Sequence, residues 1–147
     1  MSDSVEDFLT KNEEEQIVEA IRQAELRTSG EIRVHLERSL KKGEALKRAH
    51  ELFHELKMDN TKAENGVLFY VAIDDRKFAI CGDRGINEKV PSNFWEATKE
   101  LMQSHFKQGR FKQGLIDGIA SAGEQLRTYF PWDKDDLNEL SDEISVS

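Results

Sequence analysis

Asn65-Gly66-Val67-Leu68-Phe69-Tyr70-Val71-Ala72-Ile73 is the stretch whose reading decides the fold. A turn-forming Asn-Gly pair opens it, and Asp74-Asp75-Arg76 closes it. An unbroken apolar run of this length between turn residues predicts a central strand covered on both faces. Lys77 to Cys81 then returns as a strand after a short turn, so the two form an antiparallel hairpin. Gly82-Asp83-Arg84-Gly85 ends that second strand.

Upstream, Glu31 to Arg38 alternates. Ile32, Val34 and Leu36 share one face, and Glu31, Arg33, His35 and Glu37 share the other. This pattern predicts a strand with one wet face near a sheet edge. Between it and the central strand, Ala45, Leu46, Ala49, Leu52, Phe53 and Leu56 form a helical stripe over about 43 to 57. Strand, helix and strand make a βαβ unit, which is parallel and right-handed by rule. The sheet is therefore mixed, with a βαββ core and helices packed against it.

Working outward, Thr10-Lys11-Asn12-Glu13 matches a capping box at the start of a helix from about 11 to 27, broken by Thr28-Ser29-Gly30. Pro91 and Ser92 introduce another helix, closed by Gly109. A last helix over about 111 to 129 carries Gly114 and Gly118, which would let it pack closely on the sheet. About four helices are expected. Residues 1–9 read as a flexible N-terminus, 10–131 as a single α/β domain, and 132–147 as a disordered acidic tail.

The chain has 147 residues and a formal charge of -8, which argues against nucleic acid as a partner and favours divalent cations or basic protein surfaces. No apolar run reaches the roughly 20 residues of a membrane helix, so direct membrane insertion is not expected. The acidic start lacks the features of a signal peptide, and Cys81 is the only cysteine. Both favour the cytoplasm, the alternative being a mature form whose export signal was removed.

Catalytic motifs are incomplete, and no catalytic residue is assigned. His50-Glu51-Leu52-Phe53-His54 fits the zinc-hydrolase pattern H-E-x-x-H. Its histidines fall off the helix's apolar stripe, however, and no third ligand follows at the required spacing, so zinc is not expected. Cys81 lacks the arginine six residues later that a cysteine-phosphatase loop needs, Asn87 standing there; it reads as a buried strand cysteine. Asp74-Asp75 fails the D-x-D pattern of aspartate phosphatases, and no phosphate-cradling glycine loop is present.

Topology suggests a different site. Glu31 opens the first strand, Asn65 the second, and Asp83 follows the third, which runs the opposite way. All three therefore meet at one edge of the sheet. They could supply hard oxygen ligands to calcium or magnesium, with Gly30, Gly66, Gly82 and Gly85 allowing close backbone approach. The alternative is an edge of capped turns in which Arg33 or Arg84 neutralises the acids. Asp74, Asp75 and Glu37 form a second, weaker oxygen cluster at the opposite edge.

Thr28-Ser29-Gly30-Glu31-Ile32-Arg33-Val34 resembles the first motif of the TPM-domain family. Ala49, Phe53, Met58, Thr61 and Asn65-Gly66-Val67-Leu68 resemble the second, and Ile80-Cys81-Gly82-Asp83-Arg84-Gly85-Ile86 the third. Trp95, Phe106, Gly114 and Ile119 continue in the expected order. The resemblance implies a three-layer α/β/α sandwich around a short mixed sheet and divalent-cation binding, usually of calcium. Plant thylakoid relatives are linked to photosystem II repair and described as acid phosphatases, and other members act as interaction modules. The family motifs fall on Glu31, Asn65 and Asp83, and Asp74 and Asp75 are the second choice. Many bacterial members also carry an export signal and a C-terminal membrane segment, neither of which is read in this sequence.

Two functions are thus expected in competition. One is a non-catalytic domain that binds calcium or magnesium weakly and presents a surface to an unidentified protein partner. The other is a metal-assisted phosphatase in which Arg33 and Arg84 hold the phosphate.

Overall fold

The computed structural model describes residues 8–40, 43–59, 61, 64–132, 142 and 144–146. Four strands form one sheet: β1 (Glu31–Glu37), β2 (Gly66–Ala72), β3 (Lys77–Gly82) and β4 (Ser145–Val146), in the order β3-β2-β1-β4. β1 pairs with β2 in parallel, Glu31 opposite Gly66, and β2 pairs with β3 antiparallel, Val67 opposite Gly82. Both relations are those expected. All seven residues of β2 are buried, because strands flank it and helices cover both faces.

Alternation along β2 separates two cores. Val67, Phe69 and Val71 join a large cluster with α1 (Lys11–Glu25), α4 (Glu96–Lys107) and α5 (Phe111–Leu126). Leu68, Tyr70 and Ala72 join a smaller one with Ala49, Leu52 and Phe53 of α2 (Ala45–Glu55). The result is the three-layer α/β/α arrangement. The α1 capping box forms as expected, Glu13 N donating to Thr10 Oγ1 at 3.1 Å and Thr10 N to Glu13 Oε1 at 3.0 Å.

The described residues hold five helices, not four. α3 (Arg84–Lys89) is the addition, capped by Asp83. Six residues are too few to show a helical period, and only Ile86 among them is buried. Two other helices start late. Gly43 takes a left-handed φ of +88°, so α2 begins at Ala45 and not at 43, and α4 begins only at Glu96 after a run of turns.

The glycines of α5 serve helix packing more than sheet packing. A Cβ at Gly118 would lie 2.6 Å from Met102 of α4, and one at Gly114 would lie 2.5 Å from the Phe106 ring. From the sheet, Phe69 lies farther off, at 3.5 Å from the Gly118 position.

β1 departs furthest from expectation. Its polar face is not wet: Glu31 is 4 % exposed and His35 2 %. Nor is β1 an edge, since β4 pairs with it in parallel through His35–Ser145 and Leu36–Val146. These two residues of the acidic C-terminal stretch are therefore strand, and the reading of disorder does not hold for them; residues 133–141, 143 and 147 lie outside the described residues. At the other terminus Leu9 is buried in the large core and Phe8 meets Phe111 edge-on at 5.1 Å, so the folded region begins at least at residue 8. Residues 1–7 lie outside the described residues.

Candidate functional site

The edge at which the sequence places Glu31, Asn65 and Asp83 is real as backbone. Glu31 N donates to Asn65 O at 3.0 Å and Asp83 N to Gly66 O at 2.9 Å, so hydrogen bonds stitch the three segments together. Asn65 is 4 % exposed. Its Nδ2 donates to Ser29 O at 2.6 Å, and its Oδ1 is buried with no hydrogen-bond partner. Asp83 Oδ1 accepts from Arg84 N at 2.7 Å, capping α3, while Oδ2 is buried and also without a partner. Loss of solvation raises the Asp83 carboxyl above its ordinary range, against the lowering effect of the Arg84 amide, and Glu64 and Asp59 add repulsion.

Two orphaned oxygen acceptors at one sheet end fit a hard cation, which accepts neutral amide and carboxylate oxygens alike. The charge available is modest. Among the described residues, no three His, Cys, Asp or Glu side chains group as metal ligands. Glu31 faces a different neighbourhood, lining a cleft with Glu25 and Asp142.

The two arginines differ. Arg84 is exposed and spans Glu64 with two hydrogen bonds of 3.0 and 3.2 Å. Arg33 is half-buried, and its Nε is buried with no acceptor. Of the pair, only Arg33 holds an uncommitted buried donor.

The second oxygen cluster is engaged internally. Asp74 binds Arg38 Nε at 3.1 Å, and Asp75 accepts from Leu40 N at 2.5 Å. Glu37 takes Arg48 Nη2 at 2.7 Å and the Tyr70 hydroxyl at 2.6 Å. The histidines of the H-E-x-x-H segment diverge: His54 lies 3.3 Å from Asp59, and His50 Nδ1 lies 3.3 Å from Cys81 Sγ. Burial pushes the Cys81 thiol up to about 12, which leaves it without nucleophilic character at neutral pH.

One cluster escaped sequence reasoning. Glu25, at the end of α1, accepts from Ile32 N at 3.1 Å and hydrogen-bonds Asp142. Burial, then that hydrogen bond, push the Glu25 carboxyl up to about 9. With Glu19, Glu31 and Asp142 it lines a cleft of about 490 Å3 whose lip carries the exposed Leu26 and Trp132. No sequence signal joins residues 25 and 142; only folding of the C-terminal stretch onto β1 does so.

The raised value has a testable sign. Folded Glu25 keeps its proton while the unfolded chain loses it above about 4.5, so this group lowers stability as pH rises from there toward 9. Glu25→Gln preserves the acceptor for Ile32 and a donor for Asp142 without an ionisable proton. It is expected to stabilise the protein by about 1–2 kcal/mol at pH 8 and to have little effect at pH 4.5 in urea unfolding. Equal effects at both pH values would contradict a proton held between Glu25 and Asp142.

Comparison with known proteins places the chain. The profile of the family described as the TPM domain matches residues 3–125. Among solved structures, the NMR structure of the BA42 protein from the psychrophilic bacterium Bizionia argentinensis is 56 % identical, with a TM-score of 0.91 and full coverage of both chains. The N-terminal domain of a P. gingivalis protein is 20 % identical, with a TM-score of 0.69 over 83 % of this chain and 78 % of that one. The N-terminal domain of the cg2496 protein from Corynebacterium glutamicum is 11 % identical, with a TM-score of 0.65 over 93 % and 80 %. These last two share the fold. No curated protein matches the sequence. Among the described residues, no helix is long and apolar enough to cross a membrane.

Proposed function

Since this chain belongs to the TPM-domain family, we propose that it is a non-catalytic domain that binds calcium or magnesium weakly at the Asn65–Asp83 end of its sheet and presents a surface to a protein partner. The observation that carries this reading is the pair of buried, unpartnered acceptors, Asn65 Oδ1 and Asp83 Oδ2. A buried acceptor without a partner costs about 1–3 kcal/mol, and a cation would recover that loss. A site with so few charges belongs in the weak range, with Kd of about 10⁻⁴ to 10⁻³ M. The partner would be basic, given the acidic cleft and the exposed Leu26 and Trp132 beside it.

Titration of the labelled protein with calcium or magnesium chloride is expected to give saturable amide shifts around Gly30–Glu31, Gly66 and Gly82–Asp83. Asp83→Asn keeps the side-chain shape and removes the charge, and should weaken binding about tenfold. Saturable shifts at Asp74 and Asp75 would move the site to the other sheet edge. No saturable shift at either edge would end the cation reading.

The phosphatase reading draws on one observation, the unpartnered Arg33 Nε, which suits an anion beside the cation. It requires metal-dependent phosphate release from p-nitrophenyl phosphate that is lost in Asp83→Asn. Cation binding without turnover favours the module.

A further inference from the structure

We propose that a second pocket, at the opposite end of β3 from Asp83, binds a small organic phosphate, a dianionic head on a flat apolar body. The pocket has a volume of about 470 Å3 and is lined by Arg76, Lys77 and Lys107 together with Phe78 and Phe106. That volume lies within the range of small-molecule sites.

Three cations gathered around one hollow stand out in a chain of charge -8. Among the described residues, neither neighbouring acid forms an ion pair with them: Asp74 pairs with Arg38, and Asp75 accepts from the Leu40 amide. Six arginines are in ion pairs with carboxylates, whereas Arg76, like Arg33 and Arg110, is in none among the described residues. A phosphate dianion, with its three acceptor oxygens, matches such a set better than a single carboxylate does.

The apolar wall is aromatic. Phe78 of β3 and Phe106 of α4 meet edge to face, with centroids 5.2 Å apart and planes at 90°. Phe106 is 6 % exposed and belongs to the large core, so this wall is fixed by the fold. β3 is the edge strand of the sheet, and no described strand pairs along its outer side to close the hollow.

Arg76 adds a second kind of observation. It sits in the hairpin turn with φ of +53°, a left-handed conformation that favours glycine or asparagine. Lys57 and Glu64 share this conformation, and at Arg76 it means that glycine can replace the side chain without backbone cost.

The test is titration of the labelled full chain with phenyl phosphate in EDTA, which removes any contribution from a cation site. Saturable shifts are expected at residues 76–78 and 103–107. Inorganic phosphate, which leaves the rings unused, should bind at least ~3-fold more weakly. Arg76→Gly removes the guanidinium while relieving the backbone, so affinity should fall ~5-fold or more with an unchanged or higher Tm. Lys107→Glu, on the opposite wall, should abolish saturation. Unsaturable shifts, equal affinity for inorganic phosphate, or unaltered affinity in Arg76→Gly would each overturn the proposal.

Discussion

Glu37→Ala is expected to lower the unfolding free energy by about 3 kcal/mol, measured by urea unfolding at pH 7.5. The carboxylate ends β1 and is 14 % exposed as a side chain. Arg48 of α2 grips it through Nε and Nη2, at 3.0 and 2.7 Å. From the sheet, the fully buried Tyr70 donates its hydroxyl at 2.6 Å. Both partners answer in their titration: the Glu37 hydrogen bond raises Arg48, and burial followed by the same carboxylate raises Tyr70. Alanine would leave a guanidinium and a phenol without their acceptor, and that orphaning dominates the loss. Removing both charges together, as Glu37→Met with Arg48→Met, should therefore cost clearly less than the sum of the two single changes. A loss below about 1 kcal/mol in Glu37→Ala would mean that solvent already screens the pair.

Acid should weaken the fold through His35, by up to about 3 kcal/mol. The ring is 2 % exposed, lies 2.7 Å from Ser145 Oγ through Nδ1, and stacks on Tyr70 with planes 14° apart. Burial is the main cause that pushes its pKa down to about 4; Glu37 opposes this, and Arg48 and Arg33 reinforce it. The unfolded histidine takes a proton as pH falls through about 6.5, and the folded one does not until about 4. Between those values the unfolded chain binds more protons, so stability falls with falling pH. Glu25 contributes the opposite slope above about 4.5, so the informative quantity is a difference between proteins. His35→Gln should be less stable than the parent at pH 7.5 and should close most of that gap at pH 4.5. A gap that stays constant across this range would show that His35 titrates normally.

Several parts of this molecule were legible in the sequence because they rest on local rules. The Asn65-Gly66 turn and the apolar run after it specify a central strand whichever elements cover it. Thr10 and Glu13 cap α1 through contacts three residues apart. The convergence of Glu31, Asn65 and Asp83 at one sheet end follows from strand direction alone. What the side chains do there was not legible. Asn65 turns its amide nitrogen to Ser29, Asp83 spends one oxygen on α3, and Glu31 lines the cleft with Glu25. Those choices depend on rotamers and on neighbours distant in the chain.

By itself the sequence determined the α/β class, the mixed βαββ core and the capping of α1, since hydrophobic period and turn chemistry act over a few residues. Only the tertiary structure decided that the polar face of β1 is buried. That outcome needs α2 to bring Arg48 to Glu37, and Asp142 and Ser145 to reach Glu25 and His35. A polar alternation reads as wet until a partner covers it. The partner here lies more than 100 residues away, as the separation of His35 and Ser145 shows, and no local pattern encodes that meeting.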